Sequence, residues 1–478
     1  MLFSSMLFLW IFLPVTIIGN FILTAIRFKN PQTRIKLKNI FLLIMSCIFY
    51  MWGGINYFFI MVLVILINYA GGLLLDKFDS DPGKRKLCLT VTVLLNLAIL
   101  FYFKYFNFFV SMVESIVRLD FGLREVVLPI GISFFVFQSM SYTIDAYRRQ
   151  VRVQKNLINL ALYVSLFPQL IAGPIVRYID VEKELQDRHE TLADFALGVR
   201  RFCYGLGKKV LFANTFAVVA DKIFDGQIAG MGAAIAWMGV IMYALQIYYD
   251  FSGYSDMAIG LGKMFGFHFL ENFNYPYTSL SVREFWRRWH ISLSTWFREY
   301  VYIPLGGNRK GKARTYLNLF IVFLVTGIWH GAAYTFVLWG IYFGIFMVAE
   351  RLFLGKWLDK NPVKPVNWLY TQLVVLFGWV LFRAKDVPTA LSYVKEMFSP
   401  CTNGDMIWNY LSLYTCVAFV VAVLACGFVQ RGLRKLLDRF KVTNCAYMLE
   451  TCLEAGIIVS SVFMLASGSY NPFIYFQF

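Results

Sequence analysis

Long uncharged stretches, broken by short basic ones, set the pattern of this chain. Leu2 to Ile26 carries no charge and is followed at once by Arg27, Lys29, Arg34, Lys36 and Lys38. A signal peptide would carry its basic residues before the apolar run, so this reads as an uncleaved first span. From Asn39 to Leu75 the chain is again uncharged. One helix of that length would reach roughly 55 Å, nearly twice the hydrocarbon layer. A hairpin turning at Trp52-Gly53-Gly54-Ile55-Asn56 resolves the excess. Further apolar runs predict spans near 87–110, 126–144, 157–176, 195–219, 231–249, 316–349, 366–382, 406–429 and 451–469. About eleven to thirteen spans result, many of the runs being near the length a bilayer requires. Polar and apolar positions do not alternate as they would in a membrane β-barrel. The fold class is all-α, a polytopic membrane protein.

Composition agrees: 59% of residues are hydrophobic, 18% are aromatic and the mean hydropathy is +0.60, more apolar surface than a soluble core can bury. The formal net charge is +17. Its clustering between apolar runs assigns it to cytoplasmic loops and not to nucleic-acid binding. With 27–38 inside, the turn at 52–56 falls outside and the segment with Lys77, Lys84, Arg85 and Lys86 inside. The near-neutral 111–125 loop is then outside, and Arg148, Arg149, Arg152 and Lys155 are inside. The late basic loop (Arg431, Arg434, Lys435, Arg439, Lys441) also reads as internal, which puts both termini outside. The eight cysteines form no CxxC pair and read as small hydrophobes, so neither a disulfide frame nor a metal site is expected.

Residues 157–315 differ from their surroundings. Pro168, Pro174, Pro276 and Pro304 interrupt them, and aromatic runs alternate with arginines. Irregular backbone survives at membrane depth only where protein or a wet cavity shields it, so a reaction chamber is expected here. The whole chain reads as one membrane domain: peripheral spans in 1–126, a core in 127–350 and C-terminal spans in 351–478.

Four histidines occur. His189, in Asp187-Arg188-His189-Glu190, reads as solvated surface, and His268 as a satisfied interfacial residue. His330 stands apart: between Tyr316 and Ala349 it is the one ionisable group other than tyrosines. An ionisable residue at membrane depth is functional by default, a hydrogen bond between spans being the rival reading. The run is too long for one span, so a break is expected at Gly331-Ala332-Ala333. His290 closes Arg283-Glu284-Phe285-Trp286-Arg287-Arg288-Trp289-His290. On a helix, Trp286, Trp289 and His290 would share one face beside a cluster of Arg283, Arg287 and Arg288. That is either an interfacial belt or a site mouth gripping an anionic donor. No Walker loop, Rossmann glycine fingerprint, HExxH or GxSxG is present, which removes the usual support for kinase, dehydrogenase, zinc-protease and hydrolase readings.

Several strings together resemble the membrane-bound O-acyltransferases, in their alginate O-acetyltransferase (AlgI-like) branch. They are Ser133-Phe134-Phe135-Val136-Phe137-Gln138-Ser139-Met140-Ser141-Tyr142, Phe167-Pro168-Gln169-Leu170-Ile171-Ala172-Gly173-Pro174, and Tyr249-Asp250-Phe251-Ser252-Gly253-Tyr254-Ser255-Asp256. Asn272-Phe273-Asn274-Tyr275-Pro276-Tyr277, the Arg283–Leu293 run, Ile303-Pro304-Leu305-Gly306-Gly307-Asn308-Arg309 and Gly327-Ile328-Trp329-His330-Gly331 continue them, as does the terminal Asn471–Phe478. The resemblance implies about eleven spans around a central funnel. It makes His330 the family's catalytic histidine and His290 the second signature position, where members carry His, Asn or Asp. It further implies a cytoplasmic thioester donor, acetyl-CoA, with no bound cofactor, and an extracytoplasmic polysaccharide acceptor. A separate SGNH-type esterase-like partner would complete transfer, in a bacterial plasma membrane.

In that chemistry His330 serves as base and His290 as an orienting or stabilising group. Glu284, Arg287, Arg288 and Arg298 are candidate donor-face groups along with Arg283; Asp250 and Asp256 either line the cavity or pair with arginines. D-alanyl transfer to teichoic acid is the near alternative. A transporter or scaffold is the alternative from another class; it predicts intramembrane carboxylate pathways or inverted repeats, and neither stands out.

Overall fold

A computed structural model describes residues 1–427, 429, 444–468 and 470–472, and every regular element among them is helical. The late basic loop and Phe473–Phe478 lie outside the described residues. Six described helical stretches are long and apolar enough to cross a membrane: Phe8–Ala25, Ile55–Lys77, Pro82–Val117, Gly232–Met264, Tyr334–Lys360 and Lys364–Arg383. The total of about eleven remains an expectation. The backbone gathers into two compact units, Met1–Phe202 with Ser255–Leu270, and Cys203–Tyr254 with Glu271–Phe478.

In the first unit the expected hairpin is present, Pro31–Met51 and Ile55–Lys77. Gly54 in its turn has φ +138°, which a side chain would strain. Pro82–Val117 runs past the expected 87–110 and takes up residues 111–117 of the loop foreseen at 111–125. The span foreseen at 157–176 is not one helix. Leu157–Ser165 and the single turn Phe167–Leu170 replace it, each far too short to cross a bilayer. Pro168 explains the break, because its ring would clash with the Val164 carbonyl one turn back. Asn68 donates to Asn96 at 2.9 Å and accepts from Thr143 at 2.8 Å, so a buried amide ties Ile55–Lys77, Pro82–Val117 and Ile132–Tyr147 together. His189 is exposed, and the His268 Nδ1 lies 2.8 Å from Glu184, as expected of both.

The second unit is built around aromatic side chains. Trp289 lies 4.9 Å from Trp379 between ring centres and stacks on Phe285 at 5.5 Å, while Trp286 meets Trp339 edge-on at 5.3 Å. Such pairs add directional preference to the burial they provide. The apolar run at 316–349 breaks where expected: Lys312–His330 ends at an extended Gly331, and Tyr334–Ala349 begins after Ala333. The two helices cross closely, because a Cβ on Gly327 would lie 2.3 Å from the Phe336 carbonyl oxygen and 2.9 Å from the Gly340 Cα. Backbone cannot yield as a flexible side chain does. Gly327→Ala is therefore expected to cost about 1–3 kcal/mol, read as a thermal unfolding midpoint several degrees lower in detergent. An unchanged midpoint would show that the helices do not depend on this contact.

A buried ion pair also lies within this unit. Lys209, in the wide turn Lys208–Ala213, pairs with Asp250 at 2.7 Å, both side chains being 2% exposed. Lys209 also donates to the Pro472 carbonyl.

Candidate active site

Within the second unit a cavity of about 500 Å³ is lined by His290 and His330 together. Its walls are mostly apolar, with Trp286, Trp289, Leu293, Phe297, Leu319, Val322, Phe323 and Met347, and Ser294, Tyr302 and Thr326 add hydroxyls. Arg283, Arg287, Arg298 and Arg351 also line it.

His290 is positioned by two short helices and a crossing segment. Val282–Arg288 starts at Ser281, whose hydroxyl accepts from the Glu284 N–H at 3.1 Å, while Glu284 accepts from the Leu280 N–H at 2.9 Å. These two bonds fix the helix start. The Glu350 carboxylate takes the Val282 and Arg283 N–H groups at 2.7 and 2.9 Å, at the positive end of the same helix. The helix stops at Arg288, and His290 adopts a left-handed backbone, φ +45° and ψ +55°, before Ile291–Phe297. Trp286, Trp289 and His290 therefore do not share a helical face, which corrects the expectation from their spacing. The cause is non-local: Asn274 N–H donates to Arg288 O and Ile291 N–H to Asn272 O, both at 2.9 Å, and these bonds draw residues 288–291 out of helical register. The three side chains reach the same cavity all the same.

The His290 ring is 2% exposed, and Phe251 meets it edge-on at 4.6 Å. Its Nδ1 lies 3.1 Å from the Asn272 Oδ1, and its Nε2 has no hydrogen-bond partner among the described residues. His290 sits in a loop, outside the helices long enough to cross a membrane. Burial, with His330 second, holds its pKa well below the ordinary histidine value and keeps the ring neutral. His330 is the last residue of Lys312–His330 and is half-buried. Trp329, Trp339 and Phe382 surround its ring, each at 5.1 Å between centres. An aromatic cage of this kind restricts which way an imidazole can turn.

The charged candidates separate. Arg298 lines the cavity and pairs with Glu299 at 2.7 Å, and Arg283 lies 3.9 Å from Asp359. Arg287 lines it with no acidic partner among the described residues. Glu284 and Arg288 are not in the lining; they pair with each other at 2.7 Å one turn apart on Val282–Arg288. Asp250 and Asp256 do not line it either. Asp256 pairs with Arg201 at 2.7 Å within the first unit, and Asp250 pairs with a lysine, Lys209, rather than an arginine. The sequence pattern does not point to three contributors, Arg351 in the lining, Asn272 against His290 and Glu350 at the helix start, nor to Lys209 as the partner of Asp250 outside the cavity. Glu350 and Arg351 do carry one signal, as the charges that end the apolar run begun at Tyr316.

Comparison with known proteins gives one family match: the model of the membrane-bound O-acyltransferase family fits residues 79–394. The chain is 42% identical to a probable alginate O-acetylase of Pseudomonas putida, over 100% of both chains. It is 34% identical to a peptidoglycan O-acetyltransferase of Helicobacter pylori, over 100% of this chain and 98% of that one. A teichoic acid D-alanyltransferase of Bacillus subtilis is 28% identical over 54% of this chain and 69% of its own.

Proposed function

The chain belongs to the membrane-bound O-acyltransferase family, and from that premise we propose that it acetylates hydroxyl groups of an extracytoplasmic cell-envelope polysaccharide, drawing on acetyl-CoA from the cytoplasm. It is an O-acyltransferase with several membrane-crossing helices. Its setting in this reading is a bacterial plasma membrane, with an SGNH-type esterase-like protein as the separate partner that completes transfer. The observation that carries the proposal is the single cavity on which two histidines and four arginines converge.

In the proposed reaction, His330 takes the proton of the acceptor hydroxyl as its oxygen attacks the thioester carbonyl. A carbon–oxygen bond forms, the carbon–sulfur bond breaks, and the proton passes to the departing thiolate. Atoms and charge balance without a metal or redox cofactor. A positioned base of this kind contributes about a hundred- to ten-thousand-fold. His290 lines the same space and orients the reacting groups. The apolar walls exclude water, which would otherwise hydrolyse the thioester. Arginine suits phosphate through its fork of donors, so Arg287 and Arg351 are assigned to the phosphates of the donor. Arg287→Gln with Arg351→Gln is expected to raise the KM for acetyl-CoA on the order of tenfold and to leave kcat within a factor of about three. A changed kcat at constant KM would move these residues away from donor binding.

The test of the proposal is transfer by the purified protein with its partner from isotopically labelled acetyl-CoA to envelope polysaccharide, with mass spectrometry of the released ester. Labelled acetate is the expected product. D-alanine ester from a charged carrier protein, with no acetate, would replace the acetyl reading by the D-alanyl one; the similarity to the Bacillus subtilis D-alanyltransferase gives that outcome its standing.

A further inference from the structure

We propose that Asn272 is a positioning residue that holds His290 in the tautomer with its proton on Nδ1, leaving the lone pair on Nε2 at the wall of the cavity. The acyl-transfer reading supplies the consequence of this arrangement, but the tautomer itself follows from local hydrogen-bond bookkeeping.

Three groups converge on one atom of Asn272. The backbone N–H of Ser292 lies 3.2 Å from Oδ1, the Ser292 hydroxyl 2.9 Å, and the His290 Nδ1 3.1 Å. A backbone N–H can only donate, so the side-chain atom that faces it is the amide oxygen and not the amide nitrogen. An amide oxygen can only accept, and the Ser292 hydroxyl gives its proton to that oxygen at 2.9 Å in preference to Nδ1 at 3.5 Å, so the His290 Nδ1 carries the hydrogen. Neutral imidazole has one N–H, and the other nitrogen then holds the lone pair. That other nitrogen is Nε2, which is buried and has no partner among the described residues, on a residue that lines the cavity. The Ile291 N–H donating to Asn272 O at 2.9 Å fixes the asparagine backbone alongside the loop, and the edge of Phe251 limits ring rotation. His290 thereby keeps a proton acceptor on a residue that lines the same cavity as His330, suited to holding the acceptor hydroxyl in place.

Four histidines make the tautomer directly readable by nitrogen-15 NMR of histidine-labelled protein in detergent, with His290→Gln assigning the signal. Wild type is expected to show the Nδ1–H pattern for His290. Asn272→Asp, which keeps an oxygen in place, should retain it. Asn272→Leu should give a mixture of tautomers and lower kcat on the order of a hundredfold, with the acetyl-CoA KM within about threefold. An Nε2–H pattern in wild type overturns the proposal whatever the activity. So does an Asn272→Leu protein with unchanged tautomer and unchanged kcat. If instead the tautomer responds as described while wild type transfers no acyl group, the functional reading fails and the role of Asn272 stands.

Discussion

His330→Ala is expected to lower acetyl transfer by about a hundred- to ten-thousand-fold, with the protein still present in the membrane. The change removes the proposed base at the last residue of its helix, and Trp329, Trp339 and Phe382 remain around the space. His330→Gln keeps much of the volume and a polar tip yet cannot take a proton at neutral pH, so it should be as inactive as alanine. The measurement is ester content of the envelope polymer, alongside immunodetection of the protein in membranes. Unchanged ester in both variants would reject the base role and favour transport or scaffolding.

Lys209→Met is expected to cost the most stability of any single change considered. It takes the Lys209 ammonium away from an Asp250 carboxylate that is 2% exposed, and removing one partner of a buried pair costs about 3–5 kcal/mol. Loss of folded protein in the membrane fraction, and a collapsed unfolding midpoint in detergent, are the readouts. Lys209→Met combined with Asp250→Leu removes both charges and should recover most of the loss, since a pair replaced by apolar groups is often neutral. A double variant no more stable than the single one would mean that the pair is not the source of the cost. The lysine's further bond to the Pro472 carbonyl would then have to carry it.

What was legible in the sequence was what the chain decides locally. His330 stood out because one titratable ring interrupts a long apolar run, and the break beside it followed from that run being too long to cross once. The hairpin near Gly54 came from the same arithmetic. His290 was legible as a residue but not as a conformation. Spacing of Trp286, Trp289 and His290 fits a helix, whereas bonds from Asn272 and Asn274, more than a dozen residues earlier, decide the backbone. The arginine cluster divided for a similar reason. Arg288 and Glu284 are consumed by pairing with each other along their own helix, while Arg351 reaches the cavity from a segment about sixty residues further on. No local pattern marks such a convergence. The proposed acyltransferase role of the site rests on the family resemblance, and the cavity shared by the two histidines is consistent with it.

The left-handed turn at His290 carries an evolutionary corollary. A residue with φ near +45° is strained for most side chains, and after glycine the types that tolerate it best are Asn, Asp and His. Those are the three alternatives that the family resemblance implies at this position. Steric permission from the main chain thus narrows the alphabet there before any demand from catalysis is applied, so interchange among these three need not signal a change of chemistry.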